Sequence, residues 1–301
     1  MAWRGLHIAQ AARLSLRDRQ IVVAQEDGES SFALEDVAWV VLDTVHVSIT
    51  GSLLSALAES GVTLIVPDSR HHPAGLLLSF HQHHAQTYVA HLQRDLGLPL
   101  QKRLWQTLVV AKIRNQAAVL QALNRANAKA LFAMARRVGS GDPDNLEAQA
   151  AQAYWPSLFQ GFTRSNDRDR RNALLNYGYA VMRATLARAC VASGLLPVFG
   201  VHHDSQSNAF NLVDDLIEPF RPFVDRLAQG RADAFPEGEL TVDDRRHMAT
   251  VLGREVLMDQ DHMTILVATE AVATSTVRVL EQGDATLLQT PAWPPENPVT
   301  R

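Results

Sequence analysis

The fold of this chain turns on residues 210–225, which read FNLVDDLIEPFRPFVD. Leu212, Val213, Leu216, Ile217 and Phe220 recur at helical spacing, which predicts a short helix capped by Asn211. On it Asp214, Asp215 and Glu218 fall within one turn of each other. Like charges three and four residues apart repel by about 0.2–0.5 kcal/mol per pair, and the apolar neighbours leave them only a narrow polar face. Pro219 has no N–H to donate to the Asp215 carbonyl, so a kink or a fresh helix start is expected there. A hard divalent cation takes several oxygen ligands, and manganese tolerates an imidazole nitrogen better than magnesium does. His203, just upstream beside His202, is placed to supply that nitrogen, with a further ligand coming from elsewhere. Two plainer readings stand beside this one: acids favoured by a helix N-terminus, and loop histidines with ordinary hydrogen bonds.

Moving upstream, DRDRRNALLNYGYAVMRATLARACVASG (residues 167–194) predicts a long helix ended by Gly194. The single cysteine, Cys190, lies within it and has no disulfide partner, so it reads as core packing in a reducing compartment. Before it, GSGDPDNLEAQAAQAYWPSLF (residues 139–159) predicts a loop, a helix start at Asp144 or Asn145, and a stop at Tyr154, Trp155 and Pro156, with Glu147 in the first turn. Between residues 101 and 137, Leu104, Leu108, Ile113, Leu120, Leu123 and Leu131 mark an amphipathic helical region with a basic outer face.

The first eighty residues differ in kind. GLHIAQ, ARLSLRDRQIVVAQ, DVAWVVLD and VTLIVPD are short, β-branched and separated by polar turns, which predicts a small β-rich domain. One helix interrupts it, between an N-capping Thr50 and a terminating Gly61. The Pro-rich end, TPAWPPENPVTR (residues 290–301), is expected to be flexible.

Of the 301 residues 47% are hydrophobic and 20% charged, the balance of a globular protein with room for two domains. Arg4, His7, Arg13 and Arg17 break any signal-peptide core, and no apolar run is long enough to span a bilayer. A cytoplasmic protein without membrane association is therefore expected. The net charge of −4 conceals segregation: residues 101–140 hold eight Lys and Arg and no acid, whereas the chain from Arg231 onward holds twelve acids against six bases. The basic segment suits a polyanion, although solvated helix faces carry such charges too. A histidine group, His71, His72, His81, His83 and His84, competes as a metal site, but it lacks cysteines and nearby acids and reads as a surface linker.

The combination of FNLVDDLIEPFRPFVD, NYGYA, NLEAQAAQAYWPSLF and GVHH resembles the CRISPR-associated integrase family of spacer acquisition, Cas1. The Glu-Pro-Phe-Arg-Pro spelling and the double histidine are most similar to its type II branch. The resemblance implies an α+β chain, with an N-terminal β-sandwich dimerisation domain over residues 1–85 and a larger all-α catalytic domain over residues 86–301. It implies a divalent metal, Mn2+ or Mg2+, on Glu147, His203 and Glu218, with Asp215 as a supporting site residue. Ala148 stands where glycine is common in the family. Arg164, Arg168, Arg170 and Arg171 become the candidate DNA contacts near the site. The implied activity is metal-dependent endonuclease and integrase chemistry: the 3'-hydroxyl of a protospacer attacks a repeat-boundary phosphodiester. The implied partners are double-stranded protospacer and repeat DNA, a second copy of the chain, and a dimer of the small protein Cas2. Participation of the type II effector nuclease stays open. Two alternatives remain, a DNA-binding scaffold without catalysis and a phosphoesterase for small substrates, the latter leaving the basic segment unexplained.

Overall fold

The computed structural model describes residues 4–79, 83–232 and 238–295. Its first part is built from strands β1 (Arg4–Ile8), β2 (Ala12–Arg17), β3 (Gln20–Gln25), β4 (Gly28–Ala33), β5 (Val37–Leu42), β6 (Val47–Ile49), β7 (Thr63–Pro67) and β8 (Pro73–Leu77), with helix α1 (Gly51–Glu59) before β7. Asp18 and Arg19 join β2 to β3, with Arg17 opposite Gln20. Both turn residues have positive φ, 49° and 57°, the twist that a two-residue hairpin needs. Thr50 accepts from the Leu53 amide at the start of α1, and Gly61 follows its end at φ +64°, as the sequence predicts. The segment through Pro73–Leu77, read above only as a lead into helices, adds β8 to an edge.

The strands form two sheets, β4-β3-β2-β6 and β1-β5-β7-β8. Leu14, Ile21 and Val23 from the first meet Leu6, Val40, Leu42 and Leu64 from the second, with Leu53 and Leu57 of α1 between them. The second sheet is buried on both faces. Val41 and Ile65, pointing the other way by the two-residue period, join the core of the helices. That explains why β5 reads VAWVVL without polar alternation.

The helices are α2 (Gln86–Arg94), α3 (Leu98–Ala122), α4 (Ala128–Ala135), α5 (Leu146–Leu158), α6 (Arg170–Ala192), α7 (Asn211–Leu216), α8 (Arg221–Ala232), α9 (Val242–Ala249) and α10 (Ile265–Gln282). Helix α6 is the axis of this part and packs on α7, α8, α9 and α10. It is buried on nearly every side, Cys190 included, and burial pushes the Cys190 thiol up to about 12. Gly194 follows it at φ +81°. Among the described residues, no helix is long and apolar enough to cross a membrane.

Four local expectations are revised. Helix α5 runs through Pro156 to Leu158 and does not stop at the aromatic pair. The helical part also holds a small antiparallel sheet, β10 (Asp261–Thr264), β9 (Glu255–Met258) and β11 (Pro291–Ala292). The beginning of the Pro-rich end is thus tied down: β11 pairs with β9, and the Trp293 ring stacks on Phe223 at 5.0 Å. Finally, Asn211 is the first residue of α7 and not its cap. Its amide oxygen accepts from the Ser205 amide, and its Nδ2 donates to the Ser205 carbonyl, fastening the loop that carries the histidines.

Candidate active site

The three acids at Asp214, Asp215 and Glu218 go to three different sets of partners. Helix α7 ends at Leu216, and Glu218–Phe220 form a single 3-10 turn before α8, the break that Pro219 enforces. Asp214 turns outward to a two-bond grip from Arg183 at 2.7 and 2.8 Å. Asp215 turns inward and is fully buried. Its carboxylate accepts from the amides of Val201, His202 and His203 at 2.5, 3.0 and 3.1 Å and faces His203 Nδ1 at 2.6 Å. Asp215 is therefore a loop anchor that orients His203. That hydrogen bond raises the His203 pKa, against the opposing effect of burial. With Nδ1–H given to Asp215, Nε2 is the nitrogen left to present a lone pair.

Glu218 is 4% exposed. Its Oε1 accepts from Arg221 Nε at 2.8 Å, and its Oε2 lies 2.5 Å from Lys112 Nζ. Burial alone would raise this carboxyl; the Lys112 and Arg221 charges outweigh it and hold it down at about 2. The same Lys112 ammonium donates to Glu147 Oε1 at 2.5 Å. Glu147 owes its place to Asp142, whose two carboxylate oxygens accept from the Leu146 and Glu147 amides at 2.9 Å each. Asp142 thus serves the helix start that the sequence assigned to Asp144 or Asn145. The structure brings Glu147 and Glu218 onto one cation, and the Glu218 charge helps to raise the His203 pKa.

Sequence reasoning missed three residues here. Lys112 was counted on a basic outer face, yet it points inward. Its neighbours one helical turn before it, Leu108 and Val109, are apolar and buried, a signal that a helical wheel would have registered. Arg221 follows Glu218 at i+3 and pairs with it. Trp105 stacks on the His202 ring at 4.0 Å and 6°, and meets His203 edge-on at 5.9 Å, so an indole from α3 backs the whole histidine loop.

The four arginines part ways. Arg168 is exposed. Arg164 is exposed as well but is tied to Asn172 and Asn176 at 2.5 and 2.8 Å. Arg171 grips Asp169 and the Gln160 carbonyl and lies over Phe162. Arg170 is 5% exposed and paired with Asp244, so its guanidinium is a core ion pair and is withdrawn as a DNA contact. In the histidine group, His71 bonds the Asp43 carbonyl and His83 stacks on His84, whereas His81 lies outside the described residues.

Among the described residues, no three His, Cys, Asp or Glu side chains stand close enough to enclose an ion as they are. The donor set nonetheless fits a divalent cation. Two carboxylates share one positive charge, Glu218 Oε2 is buried without a well-directed hydrogen bond, and His203 is pinned through its other nitrogen. Lys112 stands where those carboxylates converge.

Residues 6–244 match the family model described as CRISPR associated protein Cas1. The chain belongs to the Cas1 family. It is 41% identical over 282 residues to the CRISPR-associated endonuclease Cas1 of Neisseria meningitidis serogroup C (strain 8013), covering 91% of each chain. To a Cas1 endonuclease of Pyrobaculum aerophilum it is 29% identical, over 81% of this chain and 88% of that one. Among solved structures, a CAS1 protein from Thermotoga maritima superposes with a TM-score of 0.72 at 14% identity, covering 98% of this chain and 100% of that one. A casposase bound to integration product gives 0.74 at 16% identity, over 94% and 92%. These two likenesses bear on the Cas1 fold alone.

Proposed function

We propose that this Cas1-family protein is a metal-dependent DNA endonuclease and integrase of CRISPR adaptation, joining a protospacer 3'-hydroxyl to a repeat-boundary phosphodiester. The observation that carries the reading is the convergence of Glu147 and Glu218 on one cation position, beside a His203 held in register by buried Asp215. Glu147, Glu218 and His203 Nε2 would hold the Mn2+ or Mg2+. Once bound, the ion would neutralise the reacting phosphate, favour deprotonation of the attacking hydroxyl and stabilise the leaving oxygen. Arg221 keeps the Glu218 carboxylate fixed from behind, and Asp215 fixes the imidazole tautomer. A scaffold without catalysis has no use for this convergence.

Exposed Arg168 and Arg164, together with Lys102, Arg103 and Arg114 on the outer face of α3, are the phosphate contacts in this reading. The division at residues 85 and 86, dimerisation through the β-rich part, and assembly of two dimers on a Cas2 dimer belong to the same reading. Solved Cas6-RT-Cas1–Cas2 complexes contain a chain that shares the fold of this one.

The test mixes the protein, with and without Cas2, with a protospacer duplex and a supercoiled repeat-bearing plasmid in Mn2+, Mg2+ or chelator. Covalent joining should require metal, and Glu218→Ala should abolish joining while DNA binding survives. Undiminished joining by Glu218→Ala would sink the assignment.

A further inference from the structure

Lys112 is the feature of the site that the proposed chemistry leaves without a task. Its side chain is 12% exposed, and it reaches from the middle of α3 to place Nζ 2.5 Å from Glu147 Oε1 and 2.5 Å from Glu218 Oε2. Glu218 Oε2 receives no well-directed hydrogen bond there, in spite of that short distance. The contact is one of charge more than of direction, which suits an ammonium acting as a mobile point charge on a flexible stem. Glu218 itself is not free to follow it, because Arg221 holds the other oxygen at 2.8 Å. The Glu218 carboxylate is thus fixed by Arg221, and the lysine is the exchangeable partner.

We propose that Lys112 is a built-in counter-ion that occupies the divalent-cation position between Glu147 and Glu218 and has to swing out before a metal ion can bind. This rests on the reading that those two carboxylates are metal ligands. Charge accounting gives the exchange a consequence. Glu147 and Glu218 are balanced by Lys112 and Arg221, so the resting group is neutral. Replacing the single charge of Lys112 by a divalent ion leaves the group with one positive charge in excess, and a phosphodiester supplies its complement. Metal uptake and attraction of the DNA backbone are thereby coupled through one side chain, and Lys112 lowers the affinity for the ion by competing for its ligands. It is a positioning residue that acts through Glu147 and Glu218.

The test is Mn2+ binding to the full-length chain, followed by calorimetry and by the metal's electron paramagnetic resonance signal, without DNA or turnover. Lys112→Gln removes the competing charge and should bind Mn2+ at least about tenfold more tightly, the worth of one opposing charge at this range in a partly buried site. Lys112→Arg keeps the ion pair and the fold but grips the carboxylates with a planar fork, and it should bind Mn2+ more weakly than the native chain. Lys129→Gln, an exposed lysine on α4, should leave the affinity within about twofold, since exposed charges are screened. Native protein that binds Mn2+ while Lys112→Gln binds no better, or Lys112→Arg binds equally well, would overturn the counter-ion role and leave the metal reading standing. If neither the native chain nor Lys112→Gln binds Mn2+, the metal reading fails, and the counter-ion role fails with it.

Discussion

At Asp215 one buried carboxylate serves three loop amides and the His203 imidazole. Asp215→Asn keeps the shape but gives up the charge that sets the imidazole tautomer. Mn2+ affinity should drop by roughly 10–100-fold, the usual cost of losing a carboxylate behind a ligating histidine, as measured by calorimetry. A second buried acid behaves differently. Burial pushes the Asp225 carboxyl up to about 7, and the hydrogen bond from the Tyr179 hydroxyl only partly opposes this. The folded state therefore holds a proton that the unfolded chain releases near its ordinary value. Stability from this group is full below about pH 4, is lost as the pH rises to about 7, and is level beyond, a span on the order of 4 kcal/mol. Thermal melts of Asp225→Asn should be flatter than native between pH 5 and 7.5; parallel profiles would contradict the assignment. Single residues were also where the sequence was hardest to read. Glu218 and His203 sit beside a proline and a glycine-bounded loop, so local pattern marks them. Arg170 shows no local sign of burial, because its partner Asp244 is 74 positions away, and Lys112 was hidden by a segment average that lumped it with exposed bases.

At the scale of elements, the site depends on how tightly the loop before α7 folds back. Gly200 lies at its neck. A Cβ there would fall 2.1 Å from the His203 carbonyl oxygen, 2.9 Å from Asn211 Cβ and 3.0 Å from Asp215 Oδ2, and two of those neighbours are fixed by backbone and burial. Gly200→Ala should abolish joining while leaving the helical circular dichroism of the whole chain intact; an active variant would show that the loop can give way. Element boundaries set by backbone chemistry were legible in advance: Thr50 and Gly61 around α1, Gly194 after α6, and the Pro219 break. Boundaries set by tertiary contact were not. Helix α5 tolerates Pro156 because only its last turn follows. Its start does fall at Asn145, within the expected pair, although the carboxylate that caps it is that of Asp142. Strand β11 is only two residues long and exists because β9 offers it an edge.

Across the whole molecule, the β-rich and helical parts are joined by a doubly covered sheet and by a buried ion pair. Arg245 of α9 donates from Nε to Asp43, at the end of β5, at 2.5 Å, and from its guanidinium to the Leu240 carbonyl. Both partners are buried. Arg245→Ala strands the Asp43 charge and should cost roughly 3–5 kcal/mol in denaturant unfolding, and a loss under about 1 kcal/mol would show that water reaches the carboxylate. The two-part organisation itself was legible because strand-period segments dominate the first eighty residues and helix-period segments most of the rest, with α1 and the β9–β11 sheet as the exceptions. The joint was not, since Asp43 and Arg245 lie 202 positions apart.

Asn115, on α3, donates from Nδ2 to the Pro219 carbonyl at 2.8 Å and to the Pro291 carbonyl at 2.9 Å, and accepts from the Trp293 amide at 3.0 Å. The turn that carries Glu218 and the last described strand therefore hang from one side chain. During synthesis this makes the order of emergence matter. Glu147, His203 and Glu218 all leave the ribosome long before Pro291 does, but the carbonyl after Glu218 shares its anchor with the end of the chain. A polypeptide cut before Pro291 would carry Glu147, His203 and Glu218 and keep the Asn115 bond to the Pro219 carbonyl, but would lose the two backbone groups that hold the Asn115 amide in place.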